Sequence, residues 1–208
     1  MTRTALFAGL LLAAPLAAQS YWPHHNITLG IGAGLPQDEI KSFMKSSPGI
    51  QLGYGYRFVR YLQADLGLSI TFGAANVRDF LPTQIGTFQI KDREYGVPLG
   101  GRAIAPLAGG RFLLAAGGGG MWLRYNTRVS QPSYYYRIDC PVCTARSGWA
   151  SYALGNASYF LNSNQNFRIG VTTQFVRGHT NGEPVGDVPG TRTNDRWINV
   201  YAELGFSF

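Results

Sequence analysis

The stretch "LQADLGLSITFG" (residues 62–73) carries the decision about the fold. Leu62, Ala64, Leu66, Leu68, Ile70 and Phe72 share one face of a period-two pattern, and Gln63, Asp65, Gly67, Ser69, Thr71 and Gly73 share the other. Strict alternation over this length is the signature of a β-strand with two unlike sides. Alternation alone does not say which side faces a core. Residue volume does: the apolar side is bulky, while the polar side is small and rich in glycine.

The same asymmetry recurs along the chain. In the second strand Ile50, Leu52, Tyr54, Tyr56 and Phe58 oppose Gln51, Gly53, Gly55 and Arg57. In the first, Ile27, Leu29, Ile31 and Ala33 oppose Thr28, Gly30, Gly32 and Gly34. The final strand sets Ile198, Val200, Ala202, Leu204, Phe206 and Phe208 against Asn199, Tyr201, Glu203, Gly205 and Ser207. A closed eight-stranded sheet has an interior only wide enough for packed side chains. The small face fits that interior and the bulky face fits lipid. The reverse arrangement, a soluble barrel of lipocalin type, crowds Tyr, Phe and Leu inside and leaves glycine rows in water.

Eight such stretches follow one another, over about Asn26–Leu35, Pro48–Val59, Tyr61–Ala74, Arg93–Pro106, Arg111–Thr127, Gly148–Leu161, Asn166–Arg177 and Arg196–Phe208. Each reaches the ~9–11 residues of a membrane-crossing strand. Short links near Arg60, at Leu107–Gly110 and at Asn162–Gln165 alternate with long polar ones at Pro36–Ser47, Ala75–Asp92, Arg128–Ser147 and Gly178–Asp195. All short links therefore fall on one side and all long loops on the other, the pattern of short periplasmic turns and long extracellular loops. The period fails at Gly117–Gly120, where a bend or bulge is expected. The expected fold is an all-β, eight-stranded, antiparallel, up-and-down transmembrane barrel. It forms one domain over residues 21–208.

Residues 1–20, "MTRTALFAGLLLAAPLAAQS", have a basic start, a short apolar run and small residues near the end. They read as a secretory signal peptide cleaved after Ala18 or Ser20. No apolar run elsewhere approaches the ~20 residues of a helical span. The exported chain meets an oxidising compartment, so Cys140 and Cys143 in "DCPVC" are expected to form a disulfide staple across a turn. Haem attachment by C-x-x-C-H fails at Thr144, and zinc lacks nearby further ligands.

The charge is +7 with only 14% charged residues. Basic and aromatic composition together raise nucleic-acid binding, but here the aromatics lie on the lipid register. Phe58, Tyr61, Phe112, Phe167 and Phe208 on one side, with Phe72, Tyr95, Trp122 and Phe175 on the other, suit interfacial girdles. The inward charges are Arg57, Asp65, Glu94, Arg102, Arg168 and Glu203. Buried charges must be paired. Arg57, Asp65, Arg102, Arg168 and Glu203 are thus expected to form an ionic cluster in the periplasmic half of the lumen, with Glu203 meeting one of the three arginines. A narrow channel is the alternative use of that lumen. No residue set points to a cofactor or a metal.

The signal peptide, alternating strands, unequal loops and terminal "YAELGFSF" resemble the small outer-membrane β-barrel families, such as OmpA transmembrane domains and OmpX-like proteins. The resemblance implies a place in the cell outer membrane of a Gram-negative-type bacterium, a porin-like envelope architecture, and contact with lipids including lipopolysaccharide. It also implies that Leu204, Phe206 and Phe208 form the C-terminal signal read by the barrel-assembly machinery.

The implied role is structural or interactive: envelope integrity, adhesion or partner binding through the long loops. The loop "SQPSYYYRIDCPVCTARSGW" (residues 130–149) is the most distinctive, with three consecutive tyrosines and Arg137 and Arg146. The alternative is a lipid-modifying barrel enzyme. Lipid A deacylases are similar in placing an H-x-S-N run on a late strand, but His179 is followed by Thr180 and Asn181, so the nucleophilic Ser is absent from that run. The chain is not expected to be an enzyme. His24 and His25 read as exposed tail.

Overall fold

The computed structural model describes residues 22–42, 44–72, 81–83, 86–130, 145–183, 190 and 192–208. The signal segment and the expected Cys140–Cys143 staple lie outside the described residues.

Eight long strands close one antiparallel barrel: β1 (His25–Gln37), β2 (Ser47–Val59), β3 (Leu62–Phe72), β5 (Gly86–Leu107), β6 (Phe112–Ser130), β7 (Ala145–Phe160), β8 (Phe167–Gly182) and β9 (Arg192–Ser207). Each strand pairs with its sequence neighbour, and β1 pairs with β9 to complete the circle. A three-residue strand, β4 (Leu81–Thr83), pairs with the first residues of β5 as a short hairpin, beyond the stretch of β5 that pairs with β3. Several strands run past the expected boundaries at their long-loop ends, because the alternation weakens there while the hydrogen-bonded ladder continues. No helix among the described residues is long and apolar enough to cross a membrane.

The bulky face points out. Ile31 is 66% and Leu99 64% exposed, and Leu29, Leu52, Leu66, Phe175 and Leu204 join them in a continuous apolar band. On the inner face Tyr201 and Leu123 are fully buried. A closed sheet has no edge, so every strand finds its backbone partners inside the wall.

The expected bulge at Gly117–Gly120 is not there. β6 keeps unbroken register with both neighbours from Phe112 onward. Gly117, Gly118 and Gly119 mark close approach instead: a β-carbon on Gly117 would stand 2.6 Å from the Arg102 α-carbon, while Gly120 faces open space. The register shift lies between Arg57 and Val59, beside the short β2–β3 turn.

His24 and His25 are not a loose tail. His24 Nδ1 lies 2.8 Å from the Arg57 carbonyl oxygen. His25 opens β1, and its backbone exchanges two hydrogen bonds with Phe208 at 2.8 and 2.9 Å. Its ring stacks on Phe208 with centroids 5.3 Å apart.

Candidate functional site: the filled lumen and its rims

The inner face divides into two levels. At the short-turn level a polar network crosses the barrel. Asn26 is its hub: it donates to Gln63 Oε1 at 3.1 Å and accepts from Ser207 at 2.6 Å and Arg168 at 3.1 Å. Gln63 passes the chain on to Asp65 Oδ1 at 2.6 Å, and Asp65 Oδ2 holds Arg102 in an ion pair of 2.6 Å. Five strands are thus tied through side chains alone. The space left among Asn26, Gln51, Gln63, Asp65, Arg102 and Arg168 is about 20 Å³. That is room for about one water molecule.

Asp65 and Arg102 are an ion pair in this network, whereas Arg168 joins it through the Asn26 amide and not through a carboxylate. Glu203 faces the charge of Arg168 through space but takes its hydrogen bond from another strand. It accepts from Asn156 Nδ2 at 3.1 Å, and the same amide donates to Thr172 at 2.8 Å. Gly170 stands opposite Glu203 in the register, so no side chain separates Glu203 from β7. Arg57 differs from expectation. It is buried at the short-turn end, and its Nε and Nη2 have no protein partner among the described residues. Asp65 already binds Gln63 and Arg102, which leaves Arg57 without a carboxylate.

At the long-loop level the lumen is apolar and aromatic, which the small-face argument misses. Met121, Leu123, Tyr125, Tyr152, Leu154, Val176 and Trp197 form one buried cluster. Trp197 donates its indole N–H to the Tyr125 hydroxyl at 2.8 Å. These large residues come from β6–β9, whereas glycine lines β1 and β2. A β-carbon on Gly30 would stand 3.1 Å from Tyr201 Cβ. One wall supplies volume and the other supplies room, so the two faces interlock in the lumen. The signal was present in the alternation of β6 and β9, but it needed the spatial neighbour to be read.

The first long loop closes this level. A 3-10 turn (Asp38–Ser42) carries Ile40 into the barrel mouth, and Met44 follows it; both join the apolar cluster. Outside the wall Asp38 forms an ion pair with Arg196, and Asn194 donates to Glu39 at 3.4 Å. Beneath the loop, Glu94 and Asp195 are buried, with Thr193 donating to Asp195 at 2.8 Å and Arg146 donating to Thr193 at 2.6 Å.

The outer face carries the rims. Phe167 and Phe206 meet at 4.9 Å and Phe206 and Phe208 at 5.7 Å, joining His25 in an aromatic seam at the short-turn end. Leu204 is exposed one step above it. His179 lies on the outer register between Trp149 and Asn194, and it makes no hydrogen bond to a hydroxyl among the described residues. Among the described residues no group of three metal-binding side chains occurs.

No family model matches the chain, and no curated relative matches it either. Solved structures do. Neisserial surface protein A superposes with a TM-score of 0.57 at 12% identity, covering 88% of this chain and 97% of that one. The outer membrane protein OprG from Pseudomonas aeruginosa gives 0.56 at 10%, covering 89% and 97%. Ail, the attachment invasion locus protein of Yersinia pestis, gives 0.51 at 11%, covering 90% and 99%. At these identities the likeness is one of fold. The chain has the fold of the small eight-stranded outer-membrane β-barrels, and its outward face carries a continuous apolar band.

Proposed function

We propose that the protein acts as a structural or surface-interaction barrel of the outer membrane, serving envelope integrity, adhesion or partner binding through its long extracellular loops. One observation carries this reading: the lumen is filled at both levels. The polar network leaves room for about one water, and the level above it is packed with Trp197, Tyr125 and Met121 under Ile40 and Met44. A bore closed twice is a poor conduit, so the working surfaces are the loops and rims. Leu204, Phe206 and Phe208 serve assembly on this reading, as the outward aromatic seam read by the insertion machinery. Outer-membrane lipids, lipopolysaccharide among them, are the standing partners.

Planar-bilayer recordings of the refolded protein test the reading, together with detergent sensitivity of cells lacking it. The expected results are no unitary conductance and a sensitivity restored by the whole protein but not by a form with residues 131–144 replaced by a short turn. Steady conductance, or full rescue by the loop-replaced form, would overturn it.

A further inference from the structure

Arg177 and Arg196 stand directly opposite each other on β8 and β9, both exposed on the outer face. Like charges in this position repel and destabilise a sheet. Asp38 reaches over from the first loop and pairs with Arg196. The Arg177 side chain has no ion-pair partner among the described residues. Asp38 is thus engaged by one of the two cations of this row, and Glu39 is held one outward row higher by Asn194, which leaves the Arg177 guanidinium free to take an anion.

The height of this pair gives it meaning. It lies ten residues along the ladder above the Phe167–Phe206 seam. At about 3.3 Å per residue and a strand tilt near 40°, that is a rise of roughly 25 Å, the height of the apolar band. The arginines therefore sit at the upper edge of the hydrocarbon layer. One row below them, Leu35, Ile198 and Phe175 make an unbroken apolar row across β1, β9 and β8. Between the rows opens a groove of about 320 Å³, lined by Gln37, Asp38, Phe175, Arg177, Arg196 and Ile198.

We propose that this groove binds a phosphorylated glycolipid of the outer leaflet, its phosphate held by Arg177 and Arg196 and its first acyl segment lying over Phe175 and Ile198. Guanidinium groups match phosphate oxygens with paired, charge-assisted hydrogen bonds. A bound phosphate removes the repulsion between the two arginines. Asp38 then sets the charge of the site and ties it to the loop that closes the lumen. The inference rests on the reading above, in which the long loops face outward.

The test uses the full mature barrel in detergent micelles, with diphosphorylated lipid A as the probe and native mass spectrometry as the readout. The expected result is retention of the lipid by the wild type and an about tenfold loss in Arg177→Gln, the worth of one charge-assisted hydrogen-bonding group. Arg177→Lys should retain part of the binding. Arg124→Gln, an outward arginine on β6 bonded to Asn126, should bind as the wild type does. Heat-modifiable migration shows that each variant is folded.

Equal retention by Arg177→Gln, equal retention of the dephosphorylated lipid, or binding of inorganic phosphate as tight as that of the lipid would each overturn the site. Protease access to the long loops in proteoliposomes separates the two levels of failure. If the barrel inserts loops-outward and Arg177→Gln still binds, only the site falls. If the wild type does not insert, the reading beneath falls with it.

Discussion

Gly205 faces the stem of Arg168: a β-carbon at position 205 would stand 2.5 Å from Arg168 Nε and 2.7 Å from its Cγ. The glycine is what lets the guanidinium lie flat against the wall and reach Asn26. Gly205→Ala should push Arg168 off Asn26 and lower unfolding stability by about 1–3 kcal/mol, the usual cost of overpacking. Urea unfolding in detergent, followed by gel migration, measures it. An unchanged midpoint would show that Arg168 has another way to lie.

Asp65 and Arg102 are nearly buried, with 10% and 13% of their side chains exposed. Asp65→Ala leaves a buried guanidinium unpaired and should cost about 3 kcal/mol or more. Replacing both partners, as Asp65→Leu with Arg102→Met, should cost less than the single change, because no charge is stranded. A double variant as unstable as the sum of the singles would count against the pair.

The first loop is held from both sides, by Ile40 and Met44 within and by Asp38 on Arg196 without. A cysteine placed at Met44 should react slowly with a water-soluble maleimide. Adding Asp38→Ala should speed that labelling several-fold, while the apolar contacts keep the barrel folded. The exposed ion pair alone contributes little, about 0–1 kcal/mol, so the effect belongs on loop opening and not on global unfolding.

Phe208 does two separable things. Its backbone closes the β1–β9 seam with His25, and its ring stacks on His25 and Phe206. Phe208→Ala keeps the backbone bonds and loses the ring. It should slow insertion by the assembly machinery more than it shifts the unfolding midpoint of the finished barrel. Wild-type insertion rates with a lowered midpoint would reverse that assignment.

Much of the architecture was written in single residues. The alternation at Leu62–Phe72 and the glycines at 30, 32 and 34 state which face is wide and which is narrow, and a narrow face has one place to go in a barrel of this size. Strand order follows from loop length for the same reason, since adjacent antiparallel strands need only short turns. Parity along each strand also marks Asp65, Arg102, Arg168 and Glu203 as inward.

What parity cannot supply is the neighbour across the lumen. Glu203 takes its hydrogen bond from Asn156 and not from an arginine, where Gly170 clears the wall between them. Asn26, unremarkable in sequence, becomes the hub because Ser207, Arg168 and Gln63 converge on it from three other strands. Ile40 and Met44 lie in a polar loop and gain their burial only because Trp197 and Tyr125 fill the mouth beneath them. Local pattern determined the strands, their faces and the lipid-facing band, since period and volume are properties of one segment. Partnership inside the lumen and the Arg177–Arg196 row outside it were decided by register and closure, which exist only once eight segments share one wall.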